Sequence, residues 1–260
     1  MPEKYQLAFE AAQKASKIIM DEFRDGFEIY TKIDGSPVTS ADLAASKIIA
    51  SVLSKTNVPI IGEELEKDSF AQRKNWRQHW SVDPLDGTKM FLVKQPEFSV
   101  NIAFIEGDRP VFGLIADPVK GLILFGGVGI VPTILNANNN FQVLKDVEIN
   151  TPITISCSRG FKMSSGNHFL NKIEQQFGEY RLIRKSSSLK FYDLAKGNSD
   201  LYPRFAPTME WDISAGHAIL SAMGGKIIDA DTNEELTYNK ESLFNPNFIA
   251  MQNNVILEFE

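Results

Sequence analysis

The stretch Asp83-Pro84-Leu85-Asp86-Gly87-Thr88-Lys89, directly after the apolar Trp80-Ser81-Val82, most restricts what this chain can fold into. Pro84 fixes φ and removes a backbone donor. Gly87 suits a tight turn with close backbone approach. Two carboxylates three residues apart, interrupted in this way, fit neither a regular strand nor a regular helix. The expectation is a loop that folds Asp83, Asp86 and free carbonyls around one point. Hard oxygen donors concentrated like this suit Mg²⁺ or Mn²⁺.

The rest of the chain sets limits on that reading. At 260 residues it can hold one large domain or two smaller ones sharing a core. A formal charge of −6 argues against a long nucleic acid as partner, which needs a basic surface. It leaves room for a small anionic ligand, because bound metal ions invert the local field. Cys157 is the only cysteine, so no intramolecular disulfide can form, which fits a reducing compartment. His79, His168 and His217 lack zinc spacing. Met1-Pro2-Glu3-Lys4 leads into an amphipathic run, so no signal peptide is expected. The most apolar segment, Gly121 to Leu135, is broken by Gly126, Gly127, Gly129 and Pro132. It falls short of the ~18 apolar residues of a membrane span.

Hydrophobic spacing predicts a helix from about 4 to 24 and a second one opened by Thr39-Ser40-Ala41-Asp42. A short buried strand, Val58 to Ile61, runs into Gly62-Glu63-Glu64. A polar, helix-prone connection to about Arg77 precedes the strand His79 to Val82, which delivers the aspartate loop. Phe98 to Ile105, Val111 to Ala116 and Leu122 to Phe125 read as an antiparallel meander. Asn136 to Asn140 reads as a loop tip close to the domain junction. Strands then alternate with helices: Ile153 to Ser156, Asn167 to Phe177, Tyr180 to Arg184, Ser188 to Lys196, Leu201 to Phe205, Asp212 to Met223. Such alternation implies a partly parallel sheet covered by helices. The expected halves are 1–145, α+β and metal-binding, and 146–260, α/β.

Carboxylates stand at the ends of four of these elements: Asp42, Glu63-Glu64, Asp83/Asp86 and Asp212. Brought together, they would hold two or three divalent ions, the arrangement that clamps both attacking and leaving oxygens of a phosphoryl displacement. Alone, each has a plainer reading. Asp42 suits the third position of a capping box opened by Thr39. Asp212 suits a helix N-cap, and Glu63-Glu64 a solvated turn. Thr88 beside the aspartates adds a hydroxyl able to orient water.

Three motifs, Gly62-Glu63-Glu64, Asp83-Pro84-Leu85-Asp86-Gly87-Thr88 and Trp211-Asp212-Ile213-Ser214-Ala215-Gly216-His217, resemble those of the inositol monophosphatase superfamily. They occur in that family's order, and the resemblance covers nearly the whole chain. Within the superfamily the chain is most similar to bacterial 3′(2′),5′-bisphosphate nucleotidases. Lys89, Ser187-Ser188-Leu189-Lys190-Phe191, Leu201-Tyr202-Pro203-Arg204-Phe205 and the tail from Glu241 to Pro246 carry that closer likeness. Met90 departs from it, standing where that subfamily commonly has Glu.

The resemblance implies a layered αβαβα sandwich, with an antiparallel first sheet and a mixed second sheet. It implies Mg²⁺ as cofactor (two or three ions, with Mn²⁺ as a substitute) and inhibition by Li⁺. Glu63, Asp83 and the Leu85 carbonyl would hold one ion; Asp83, Asp86 and Asp212 a second; Glu64 would act from behind. Thr88, oriented by Asp42, would polarise the attacking water. Gly87 and Thr88 amides, Lys89, Ser187, Ser188, Lys190 and Arg204 would contact the substrate. The implied reaction is hydrolysis of the 3′-phosphate of 3′-phosphoadenosine 5′-phosphate to AMP. An inositol or sugar-phosphate monoesterase and a non-catalytic nucleotide sensor are the alternatives. The implied protein is a cytoplasmic monomer or homodimer, with peripheral contact with the inner membrane left open.

Overall fold

The computed structural model describes residues 1–145 and 147–258. Asp146, the first residue of the expected second half, lies outside the described residues, as do the last two positions. Helices α1 (Glu3–Asp25) and α2 (Ser40–Leu53) flank a hairpin, β1 (Ile29–Thr31) and β2 (Pro37–Thr39). Next come β3 (Ile60–Gly62), α3 (Phe70–Arg73), β4 (Gln78–Asp86) and α4 (Thr88–Leu92). A meander follows: β5 (Ser99–Glu106), β6 (Arg109–Asp117), β7 (Leu122–Gly127), β8 (Ile130–Asn136) and β9 (Phe141–Val143). Strands β3 to β9 form one sheet in sequence order. Only the β3–β4 pair in it is parallel.

Alternation along these strands explains why the sheet is covered on both faces. Val100, Ile102 and Phe104 of β5 join Phe112 and Leu114 of β6 under α1 and α2. Ala103, Ile105 and Ile115, one residue out of phase, point the other way. The helices match: Ala8, Ala11, Ala12, Ala15 and Ile19 of α1 are fully buried. Small side chains there let α1 lie close to α2 and the sheet.

The second half supplies β10 (Ile153–Cys157), α5 (Met163–Phe177), β11 (Tyr180–Arg184), a 3₁₀ turn (Ser187–Leu189), α6 (Lys190–Ala195), β12 (Leu201–Arg204), α7 (Glu210–Ser221), β13 (Lys226–Asp229) and β14 (Phe248–Met251). Its sheet has the order β11-β10-β12-β14-β13. β10 runs parallel to β11 and β12, and β14 antiparallel to both neighbours. Leu194, Ile213, Ala215 and Ile219 of α6 and α7 pack between the two sheets. Phe169, Leu170 and Ile173 of α5 cover the outer face of the second. The layers are therefore α1/α2, first sheet, α6/α7, second sheet, α5: the αβαβα sandwich expected.

One contact fixes the middle layer. A Cβ added at Gly113 of β6 would lie 2.0 Å from the Ala215 carbonyl oxygen. Only glycine lets α7 lie this close to the sheet, and α7 carries Asp212 to the end of β4.

Several expected boundaries move. The loop expected at Asp83–Asp86 is the continuation of β4, bent by a bulge. α7 begins at Glu210, so Asp212 is its third residue and not its N-cap. α5 begins at Met163, ahead of Asn167, and the helix expected from Ser188 opens as a 3₁₀ turn. The hairpin β1–β2 and strands β8, β9, β13 and β14 had no expectation. Most are three or four residues long, too short for periodicity to register; β8 lay in a segment whose glycines and proline read as breaks.

Candidate active site

Asp83 pairs with Asn101 and Asp86 with Ser99, so β4 takes three steps where β5 takes two. The extra residue makes the bulge, and Pro84, with no N–H to pair, sits within it. The Leu85 amide donates to Asp83 Oδ1 at 3.0 Å. Gly87 follows with φ of 103°, and a Cβ there would meet the Glu97 carbonyl at 2.8 Å. The sequence thus curls two carboxylates and a carbonyl over the sheet end.

Asp42 serves both roles open to it. Its Oδ2 accepts from the Thr39 amide at 2.8 Å, half of a capping box for α2. Its Oδ1 accepts from the Thr88 hydroxyl at 3.0 Å. Asp42 is 1% exposed. Burial pushes its carboxyl upward, against the Thr39 and Thr88 donors that favour the charge. Thr88 Oγ1 also lies 3.2 Å from the Leu85 carbonyl.

Gly62 pairs with Val82, and the Glu63 amide donates to the Val82 carbonyl at 3.1 Å. That places Glu63 beside Asp83. Its carboxylate accepts from Lys32 Nζ at 2.8 Å, and Glu64 accepts from the same ammonium at 2.5 Å. Burial disfavours charge on Lys32, yet the two glutamates hold its pKa above the ordinary lysine value. Asp212 Oδ2 accepts from the Met209 amide at 2.8 Å, which closes the first turn of α7.

These side chains face a cleft of about 500 Å³. Glu63, Asp83, Leu85, Asp86, Gly87, Thr88, Lys89, Ser187, Ser188, Lys190, Arg204 and Asp212 all line it. Asp42 stands behind Thr88, and Glu64 behind Glu63 on Lys32. The cleft is therefore acidic at the β4 end and basic at the β12 end.

Burial raises the Asp83 carboxyl well above its ordinary value, reinforced by Glu63, Asp86, Asp212 and Asp42. Burial also pushes Asp212 up to about 8, helped by Asp86 and Glu63 and opposed by the Met209 amide and Arg204. Carboxylates crowded this way cannot all ionise without added positive charge. Among the described residues no three His, Cys, Asp or Glu side chains form a ready-made ion cage. Each of these carboxylates instead rests on a protein donor. The donor set is all oxygen, anionic and short of cations, so the residues fit Mg²⁺ or Mn²⁺.

At the basic end, Lys190 Nζ donates to the Ser187 carbonyl at 2.5 Å and lies 4.7 Å from the Tyr202 ring centroid. Burial drives its pKa down to about 8, with Arg204 adding to the drop and Asp86 and Asp212 resisting it. Arg204 Nε donates to the Ala206 carbonyl at 3.2 Å and still lines the cleft. Ser188, expected as a substrate contact, is 3% exposed and has its hydroxyl on the Asp212 carbonyl at 2.6 Å. Trp211 packs with Ile61 and Leu243 and does not line the cleft. His217 bridges Tyr238 and Glu235, away from the cleft.

Sequence reasoning missed Lys32, Asn101 and Arg159. Asn101 carried a signal, as the one amide in the apolar run from Phe98 to Ile105. Arg159 had none: it lines the cleft while gripping Glu97 through Nη2 and Nε at 2.6 and 2.7 Å.

Residues 2–258 match the inositol monophosphatase family. The 3′(2′),5′-bisphosphate nucleotidase CysQ of Escherichia coli (strain K12) is 36% identical over 245 residues, covering 91% of this chain and 95% of that protein. The crystal structure of CysQ from Bacteroides thetaiotaomicron, a bacterial member of the inositol monophosphatase family, superposes with a TM-score of 0.85 at 34% identity. That match covers 96% of this chain and 97% of the other. An inositol monophosphatase from Thermotoga maritima shares the fold, with a TM-score of 0.75 at 21% identity over 97% of this chain and 93% of its own.

Proposed function

This chain belongs to the inositol monophosphatase family, and from that premise we propose that it is a Mg²⁺-dependent phosphatase acting on 3′-phosphoadenosine 5′-phosphate. The products are AMP and inorganic phosphate. The observation that carries this reading is the two-ended cleft, with crowded carboxylates at one end and Lys190 and Arg204 at the other. The CysQ relatives, named as 3′(2′),5′-bisphosphate nucleotidases, support the choice of substrate.

Glu63, Asp83, the Leu85 carbonyl, Asp86 and Asp212 would hold the cations. When bound, divalent cations there supply positive charge that acidifies water and neutralises the oxygens of a transferring phosphoryl group. The remaining work falls to the chain itself. The Thr88 hydroxyl donates to Asp42 Oδ1, so its lone pairs are free to accept from a water. That water forms the new O–P bond as the P–O3′ bond breaks. Its proton passes towards Thr88 and Asp42, whose burial raises its affinity for one. The 3′-oxygen departs as the hydroxyl after taking a proton from solvent. Lys190 and Arg204 bind the 5′-phosphate, remote from the reacting centre, so its binding energy can serve to orient the 3′-phosphate. Arg204 suits this through the forked geometry of guanidinium.

The test is phosphate release from 3′-phosphoadenosine 5′-phosphate, inositol 1-phosphate and fructose 1,6-bisphosphate, each with Mg²⁺ and with excess EDTA. The adenosine bisphosphate should give the highest kcat/KM, with activity lost in EDTA and reduced by Li⁺. Preference for either sugar phosphate would overturn the substrate assignment. Full turnover in EDTA would overturn the role given to the carboxylates.

A further inference from the structure

Resting on that reading, we propose that Asn101 and Ser188 are positioning residues that aim Asp86 at a cation and tie it to the nucleotide-binding turn. Both are buried, at 1% and 3% exposure. Asn101 Nδ2 reaches Asp86 Oδ2 at 3.3 Å and Ser188 Oγ at 2.9 Å. The Ser188 amide donates to the same Asp86 oxygen at 2.6 Å. The Ser188 hydroxyl donates to the Asp212 carbonyl at 2.6 Å.

The chemistry settles which way the Asn101 amide faces. A carboxylate only accepts, so the NH₂ group turns towards Asp86. Its Oδ1 then accepts from the Ser99 hydroxyl at 3.1 Å. Among the described residues both donors to Asp86 fall on Oδ2. The carboxylate is pinned by one edge, Oδ1 has no protein donor among the described residues, and Asp86 lines the cleft. Partners of this kind, behind a metal ligand, fix its orientation and tune its affinity.

The same node reaches the substrate end. Ser187 has φ of 53°, left-handed for a residue with a side chain. Such a conformation persists only where its surroundings hold it. The Ser99 hydroxyl lies 3.2 Å from Ser187 Oγ, and Lys190 Nζ caps the Ser187 carbonyl. Strand β5, the 3₁₀ turn and α7 thus meet at Asn101 and Ser188. A 5′-phosphate drawn to Lys190 pulls on a turn whose next amide holds Asp86.

If these hydrogen bonds only satisfied buried groups, their loss would lower stability and leave cation affinity alone. The separating measurement is Mn²⁺ binding to the full-length protein, followed by the EPR signal of free Mn²⁺, with and without AMP as a 5′-phosphate probe. Asn101→Ala, which removes a donor to Asp86, should weaken Mn²⁺ binding by ~10–100-fold, and Ser188→Ala, which loses only the contacts to Asn101 and the Asp212 carbonyl, towards the lower end of that range. AMP should tighten Mn²⁺ binding to the wild type, and do so less in Ser188→Ala, which keeps its backbone amide and is the milder change should Asn101→Ala not fold. Wild-type Mn²⁺ affinity in a folded Ser188→Ala, or no AMP effect in the wild type, would overturn the proposal. A wild-type protein that binds no Mn²⁺ at millimolar concentration would overturn the cation reading beneath it.

Discussion

Thr88→Val deletes one hydroxyl and nearly nothing else, because valine keeps the branched shape. On the proposed reading it removes the group that accepts from the attacking water. The loss expected is ~10²-fold or more in kcat, which is about 2.7 kcal/mol of transition-state stabilisation at 1.36 kcal/mol per tenfold. The structure also sets the folding cost. Asp42 Oδ1 loses its Thr88 donor while Oδ2 keeps the Thr39 amide and hydroxyl. One buried acceptor short of a donor costs ~1–3 kcal/mol, less than the ~5–15 kcal/mol that holds typical domains together. The variant should therefore fold, bind Mg²⁺ and show nearly wild-type KM. Rapid-quench phosphate release and urea unfolding separate the two effects. Thr88→Ser should recover most of the rate. Asp42→Asn should fall comparably, and the double variant should be little worse than either single, since the pair acts as one unit. A folded Thr88→Val with kcat within about twofold of wild type would refute the role of this pair, since even modest general acid–base help is larger.

Arg204→Ala should lower kcat/KM on the adenosine bisphosphate by about 1.5–3 kcal/mol of transition-state stabilisation, the range for hydrogen bonds to a charged group, and far less on adenosine 3′-monophosphate; equal losses would mean that Arg204 does not read the 5′-phosphate. Gly113→Ala drives a methyl group to 2.0 Å from a backbone oxygen of α7; the helix must shift with Asp212, at ~1–3 kcal/mol of stability, and Mn²⁺ binding should weaken, whereas wild-type binding would show that α7 tolerates the displacement. His79 is fully buried with neither ring nitrogen hydrogen-bonded among the described residues. Burial, with Arg73 nearby, pushes its pKa from 6.5 down to about 4. The unfolded chain therefore takes up this proton first as pH falls: the stability is fully present above pH 6.5 and lost towards pH 4, by roughly 3 kcal/mol. Urea unfolding in EDTA should show a flatter profile for His79→Leu over that window; parallel profiles would rule out His79 as the source.

How much of this was legible depends on whether a residue's role is local. Asp83, Asp86, Gly87 and Thr88 sit within six positions, and their chemistry could be read from that spacing alone. From their own surroundings in the chain, Asp42, Glu63 and Asp212 carried only local meanings, a capping residue, a turn and a helix start; the family resemblance alone joined them into one site. Their convergence is a property of topology. Glu63 reaches Asp83 through the parallel β3–β4 pair, and Asp212 through the close passage of α7 over Gly113. The alternating strands of the meander were read correctly because both faces are buried by different layers. The bulge was not: Pro84 and Gly87 announce an interruption, but whether the chain leaves the sheet or stays in it is decided by Asn101 and Ser99 opposite. Lys32 was invisible for the same reason, since it meets Glu63 and Glu64 across 31 and 32 residues of chain.

Charge gives the deepest link from fold to function. The formal charge of −6 suggests a poor host for a polyanion. A small anionic ligand is a different case, because each end of the cleft is unbalanced alone. Asp83 and Asp212 are driven upward by burial and by their acidic neighbours. Lys190 is driven downward by burial, with Arg204 adding to the drop. On the proposed reading, divalent cations would relieve the first strain, and an anion beside Lys190 and Arg204 would relieve the second. A ligand carrying only the reacting phosphate, once cations are bound, addresses one end and leaves the two cations of the other facing each other. On the proposed reading, a nucleotide with a second phosphate satisfies both ends at once. Selectivity for the bisphosphate should then weaken as salt rises, because mobile ions screen the partly exposed Arg204 more readily than the buried carboxylates. Selectivity between adenosine 3′,5′-bisphosphate and adenosine 3′-monophosphate, measured as a ratio of kcat/KM at constant free Mg²⁺ across a KCl series, tests this. A ratio independent of salt would place the discrimination in shape, and not in the charge of the β12 end.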